Sequence, residues 1–445
     1  MSIRHLFLWG SLTGLSTGLL ALPATAATVP PPAATAVSAV SSTPATPLHL
    51  EQVLQAARGN PDVMAALRNL DAARADVLAA NRAPAPSLSA GVSSIDLQKG
   101  VGAGSFWTQK RLDKSLGLDW TWERGNKRAL RTEQAERLAQ AAQADGQEAL
   151  VLQQIGAQAA FYELLATHQR LQAVQALAQS AEQLSQTAER RLKAGDLSAQ
   201  DAARTQIEAG RARADLQNAR LEHQQATQWL STWTGLAVPA GGWQVQGDWP
   251  TAVAIAVPTD ADIDVLLEQR SDVLAARARV AAAESALQSA QALRSVDPSV
   301  GASFDHIPDG LGNTQRLLAL RISVPLTLGH RYDGEIGRAV AQEAQSRDLL
   351  QKTLLQARAD LITQVQAWQA SAESLAIYEG NILPQATRVA TQAETAYNKG
   401  GLPLTDLLDA RRTLRAIQLD ALAVRSEHAK ALGAWQLRLA AQATR

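Results

Sequence analysis

The stretch YNKGGLPLTDLLD (residues 397–409) decides how the chain reads. It lies between two long helix-type segments, and a near-copy, LKAGDLSAQDAAR (192–204), precedes it. At this one offset the pairs Glu189/Glu394, Gly195/Gly400, Leu197/Leu402, Asp201/Asp406, Asp215/Asp420, Arg220/Arg425, Glu222/Glu427 and His223/His428 are identical. Single coincidences at one offset are common; this many so close together indicate a duplication. The expected organisation is a first repeat over 48–257 and a second of the same plan over 258–445.

Each half carries the same order: helix, strand pair, very long helix, short tip, return helix. The first helices are expected over 50–81 and 262–293, the long helices over 126–193 and 332–399, and the return helices over 198–234 and 403–441. The long segments are almost free of helix breakers, so at 1.5 Å per residue they reach about 100 Å. Leu171, Val174, Ala178, Ala181, Ser185, Ala188 and Leu192 follow 3-4 spacing, a heptad seam of mostly small residues. Pro384 should kink the second long helix.

Between the first and long helices, residues alternate with period two. Leu116, Leu118, Trp120 and Trp122 share one face of 115–122, and Ser115, Gly117, Asp119 and Thr121 the other. Similar strands are expected over 86–95, 298–306 and 317–326. One reading is a soluble sheet lying on a core. The other is a membrane barrel with lipid outside and water inside. Single-chain barrels begin at about eight strands, and an open edge is not tolerated in lipid. Under the membrane reading, four strands must close with strands of other copies.

Residues 1–26 read as a secretory signal peptide, with Arg4 and His5 before an apolar run and Ala24-Thr25-Ala26 as the cleavage site. Residues 27–47, rich in Ala, Pro, Thr and Ser, read as a flexible leader. Lys+Arg and Asp+Glu are equal at 42, so no global basic field favours nucleic acid. The absence of cysteine excludes a disulfide framework and a thiolate metal site. The seven histidines fit no hydrolase or metalloprotease motif, and neither an enzyme nor a cofactor is expected. Glu222-His223 and Glu427-His428 are candidate metal ligands, but neighbouring helical residues face different directions. A duplicated surface pair is the better account, and no metal site is assigned.

The signal, the duplicated plan, the long Ala-rich helices and the two G-x-L-x-x-x-D tips together resemble TolC-type outer-membrane efflux proteins. The resemblance spans about residues 48–440. The motifs WTWERGNKRALR (120–131) and VPLTLGHRYDGEIGRA (324–339) are similar to the outer-membrane components of cobalt–zinc–cadmium type metal efflux systems. The resemblance implies a mainly α fold with a small β part. Three chains would form a twelve-stranded outer-membrane β-barrel, four strands from each, continued by a long periplasmic α-helical barrel. It implies a homotrimer in outer-membrane lipid of a Gram-negative bacterium, working with a periplasmic adaptor and a resistance–nodulation–division (RND) pump.

The implied function is a passive exit duct gated at its periplasmic tip, with divalent metal cations favoured as cargo. Alternatives are a drug-efflux or type I protein secretion duct, or a periplasmic coiled-coil adaptor. By the same resemblance Asp406 and Asp409 form the acidic ring of the aperture, and their i,i+3 spacing puts both on one helical face. Tyr397 and Asp201 are the implied tip latch. Gly195, Leu197, Gly400 and Leu402 are the implied adaptor-docking tips. At Leu402 the family's best-studied members carry an arginine that strengthens closure, so another group must serve here or closure is weaker.

Overall fold

Alanine at helical spacing sets the architecture. In the computed structural model the described residues are 47–107, 110–239, 242–251, 258–308, 313–326 and 331–443. The expected signal (1–26) and all but the last residue of the leader (27–47) lie outside them, as do residues 327–330 of the second junction motif.

The chain begins with α1 (Leu50–Ala57) and α2 (Pro61–Ala80) and passes into β1 (Ser87–Ser93) and β2 (Asp113–Thr121). The 67-residue α3 (Lys127–Lys193) then runs to a tip and returns as α4 (Ala199–Thr234). The same succession follows: α5 (Asp260–Gln269), α6 (Ser271–Ala292), β3 (Ser299–Pro308), β4 (Thr314–Ser323), α7 (Asp333–Ile377), α8 (Leu383–Asn398) and α9 (Leu404–Ala443).

The heptad seam of α3 faces inward as its spacing predicts. Val174, Ala178 and Ala188 are buried, and Leu171, Ala181, Ser185 and Leu192 half-buried. On α4 the complementary seam is Ala202, Thr205, Ala209, Ala212, Ala219 and Ala226, all buried. Small side chains on both helices allow close approach over most of their length.

Three expected helices are interrupted, each for a visible reason, and the third break falls at the expected kink near Pro384. The helix read over 50–81 breaks at Gly59-Asn60-Pro61. Asn60 caps α2 by accepting from the Asp62 amide at 2.9 Å, and its Nδ2 donates to the carbonyl of Thr232 at 2.8 Å at the end of α4. The helix read over 262–293 breaks at Arg270, which forks onto Asp272 (3.1 and 2.7 Å) and donates to the Ala357 carbonyl at 3.2 Å. Before Pro384, a five-residue π turn (Tyr378–Ile382) joins α7 to α8. Proline has no N–H to give the carbonyl four residues back, and the wider turn takes up the mismatch.

The four strands form one antiparallel meander in the order β1-β2-β3-β4. The register sets Leu88, Leu118, Ala302 and Leu320 in one row, and Ala90, Leu116, Phe304 and Leu318 in the next. Ser89, Gly117, Ser303 and Ala319 form a row on the other face. The apolar face covers no core: Leu318 is 75% and Leu320 79% exposed. On the polar face a Cβ at Gly301 would come within 2.1 Å of Asp119 Oδ1, so glycine leaves the carboxylate its place.

The core lies where α1, α3 and α4 meet residues 243–249. Phe161, Leu164, Leu165 and Leu230 are buried there, with Trp233, Trp243 and Trp249 packed against them. Trp249 stacks on Tyr162 at 5.8 Å and donates its indole N–H to Gln169 at 3.1 Å. Residues 243–249 therefore act as a strap across this core. It is held also by hydrogen bonds between Leu48 and residues 244 and 246.

His428 on α9 is fully buried, with Ser371 Oγ of α7 3.4 Å from its Nδ1. Burial pushes its imidazole below the ordinary value of 6.5, while the Thr251 backbone and the Glu379 carboxylate oppose the shift. The folded chain thus binds this proton less readily than the unfolded chain. The associated stability is full above 6.5 and is lost as pH falls from there through the folded value. Thermal melting should shift to lower temperature between about pH 7.5 and pH 5.5, with a flatter dependence in His428→Gln. An unchanged slope in that variant would assign the effect to other groups.

Candidate functional site at the hairpin tips

The two helical hairpins end in the same local structure. At the first tip, Asp196 N–H donates to the Arg191 carbonyl at 2.9 Å and Gly195 N–H to Leu192 at 3.0 Å. At the second, Gly401 N–H donates to Ala396 at 2.9 Å and Gly400 N–H to Tyr397 at 2.9 Å. Both are Schellman C-caps, which satisfy the last carbonyls of a helix by turning one residue left-handed. That residue is Gly195 (φ +82°) in one and Gly400 (φ +75°) in the other. Nothing lies within 4 Å of a Cβ built at either, so backbone conformation alone requires glycine.

Each return helix then starts on its own signal. Ser198 caps α4 by accepting from the Asp201 amide at 3.1 Å. Pro403 precedes α9, where a missing N–H is harmless. Leu197 and Leu402 are half-buried at the tips, and Leu407 is buried one turn into α9.

Asp406 and Asp409 are both exposed in the first turns of α9, but their surroundings differ. Asp406 accepts from the Thr405 hydroxyl at 3.3 Å and has no ion-pair partner among the described residues. Asp409 is paired with Arg412 at 3.1 Å. Tyr397 and Asp201 are not joined by a hydrogen bond within the chain. The Asp201 carboxylate accepts from the Ser198 hydroxyl at 2.7 Å and lies 3.8 Å from Arg204, while Tyr397 is half-buried.

A set of arginines missed in the sequence ties the helices together above the tips. Arg412 of α9 forks onto Glu208 of α4 through Nε and Nη2, and its Nη1 reaches Asp409. The Glu208 hydrogen bonds are the largest cause raising its guanidinium pKa; the Asp409 charge adds to them. Arg415 pairs with Asp215, again joining α9 to α4. Arg411 binds Glu394 of α8 at 2.6 Å, and Arg213 binds Glu182 of α3. Of these residues, the sequence singled out Asp215 and Glu394 through the repeat and Asp409 through the family resemblance. The arginines have no counterpart at the repeat offset, so similarity between the halves gave no signal for them.

No group of three or more His, Cys, Asp or Glu side chains among the described residues is placed to hold a metal. No described helix is long and apolar enough to cross a membrane.

Paired hairpins of this length, carried on a sheet with an exposed apolar face, define a channel-type fold. The chain belongs to the outer membrane efflux protein family, which matches it over residues 53–236 and 263–439. Among curated relatives it is similar to the cobalt-zinc-cadmium resistance protein CzcC of Cupriavidus metallidurans. The two are 26% identical over 380 residues, covering 83% of this chain and 84% of CzcC. Among solved structures it shares its fold with the CmeC outer membrane channel of Campylobacter jejuni (TM-score 0.75, 13% identity, 88% of this chain and 86% of that one). It also shares the fold of CusC, studied for its transmembrane channel formation (TM-score 0.72, 16% identity, 88% and 92% covered).

The two glycine caps make a direct prediction. Gly400→Ala should destabilise the second tip by ~1–2 kcal/mol, because an L side chain resists the left-handed region. Gly401→Ala, whose Cβ would meet the Ala396 carbonyl at an ordinary 3.6 Å, should cost much less. Hydrogen exchange of the amides at 400 and 401 reads the difference; equal exchange in both variants would refute it.

Proposed function

We propose that this outer-membrane efflux protein is the exit duct of a tripartite system, built as a homotrimer and gated at its periplasmic tips. The observation that carries the proposal is the four-stranded sheet, with its exposed apolar face and its outer strands β1 and β4 at open edges. A solvated apolar face of this kind is unfavourable, and open edges in lipid leave backbone groups unsatisfied. Lipid would cover the apolar face and strands of two further copies would close the edges, giving twelve strands and a lumen lined by the Ser, Gly and Asp face. The two halves, 48–257 and 258–445, then act as pseudo-equivalent units around the duct.

Under this reading the tips bearing Gly195, Leu197, Gly400 and Leu402 receive a periplasmic adaptor, which links the duct to an RND-type inner-membrane pump. Asp406 and Asp409 ring the aperture. Tyr397 and Asp201 form a latch between neighbouring chains rather than within one. Arg412, held on Glu208, takes the closing role left open by Leu402. It also offsets part of the Asp409 charge, so the attraction for cations falls mainly to Asp406. The likeness to CzcC favours divalent cations as cargo, and open carboxylates suit their passage without tight retention.

Planar-bilayer conductance tests this. The wild type should form cation-selective channels blocked by divalent cations, and Asp406→Ala should relieve the block more than Asp409→Ala. Arg412→Ala should raise open probability by loosening α9 from α4. Channels indifferent to all three substitutions would remove the gate assignment. No channels from folded, detergent-extracted protein would overturn the duct.

A further inference from the structure

The seam between α3 and α4 is made mostly of small and aliphatic side chains, and two histidines meet at one level of it. There His223 of α4 is half-buried, in line with Ala219 and Ala226 on either side. Its ring lies 5.6 Å from that of His168 on α3, tilted by 50°. The Nδ1 of His223 is buried and lacks a hydrogen-bond partner among the described residues. An unpaired polar atom in such a seam costs free energy, which a ligand would recover.

Three further features suit a cation held by neutral imidazoles. Burial first, and the neighbouring His168 second, push the His223 imidazole below its ordinary value, so it keeps a lone pair near neutral pH. Gln172 Nε2 sits 2.9 Å from His168 Nε2. The amide N–H donates, so that imidazole nitrogen presents a lone pair rather than a proton, and a cation would take it by displacing the exposed Gln172 amide. The adjacent carboxylate of Glu222 is paired with Arg170 at 3.2 Å, so no net charge repels a cation from this level. Gln172 is exposed and leaves a way in from solvent.

We propose that His168 and His223 form a two-imidazole site for a borderline divalent transition-metal cation of the zinc, cobalt or cadmium class. Water would complete the coordination. Imidazole nitrogen suits these ions, and two protein ligands give an exchangeable site rather than a structural one. The inference deepens the duct reading and rests on it only for where the cation comes from. Among the described residues the duplicated His428 has no second imidazole beside it; Ser371 occupies that place, and no equivalent is assigned to the second hairpin.

The test uses the full chain in detergent, titrated with Zn2+ by calorimetry and with Co2+ by visible absorption. Wild type should bind a single ion per chain at this level. His168→Gln and His223→Gln should each lower the affinity by about tenfold or more. His428→Gln and the Asp406→Ala/Asp409→Ala variant should retain the site. Wild-type affinity in both His168→Gln and His223→Gln would overturn the proposal. Should either variant fail to fold, diethyl pyrocarbonate labelling of the wild type decides: Zn2+ must protect positions 168 and 223, and equal labelling with and without Zn2+ overturns the site. Loss of this site with divalent block intact leaves the duct standing. Binding here without channel formation sinks the duct and not the site.

Discussion

Close approach of α3 to α4 through a seam of alanines is the interaction on which the rest of the molecule depends. An isolated helix of this length has no reason to stay straight or to choose a partner, and one polar all round would not be held at all. Ala202, Ala209, Ala212 and Ala219 bury little area each, but they let the two backbones come together over many turns. That contact sends the chain far from the sheet and brings it back in register. The tips at 194–198 and 399–403 can then sit at the far end of the hairpins as small, well-defined structures. The core around Phe161 and Leu230 anchors the other end, where the strap carrying Trp243 and Trp249 closes over it.

The sequence makes the fold legible to the extent that periodicity reports it. Period-two alternation placed all four strands, and breaker-free heptads placed the long helices, because both are local consequences of side-chain direction. Pro384 marked the interruption of the second long helix, though not the π turn that takes it up. The breaks at Asn60 and Arg270 were not legible, because each depends on a partner far along the chain. Asn60 ends one helix because the carbonyl of Thr232 is waiting for its amide. Arg270 does so because Asp272 and the Ala357 carbonyl receive its guanidinium. Local propensity carries no record of such partners.

The site divides along the same line. The glycines were visible because turn chemistry is written in neighbouring residues, while the acidic pair was singled out by the family resemblance, its i,i+3 spacing setting both on one helical face. The state of the acids was not visible. Asp406 and Asp409 look equivalent in sequence, yet one stands open and the other shares Arg412 with Glu208. Glu208 belongs to the other hairpin, and no pattern within 397–409 points to it.

On the proposed reading, that asymmetry bears on how a gate at these tips would both close and pass cations. A fully exposed acidic ring would attract ions but repel itself and splay the tips. Arginines on the same helix counter that repulsion only if they are held elsewhere; otherwise they neutralise the ring outright. Arg412 meets this condition, since two of its contacts go to Glu208 and one to Asp409. Its charge is thereby spent mainly on holding α9 to α4. Surface pairs are individually weak, ~0–1 kcal/mol, which would suit a contact that has to break in the proposed opening of the tips. Arg415 on Asp215, about a turn further along α9, adds a second such contact. Several weak contacts in a row, rather than one strong latch, give a closure that an adaptor binding at the tips could undo with modest differential affinity.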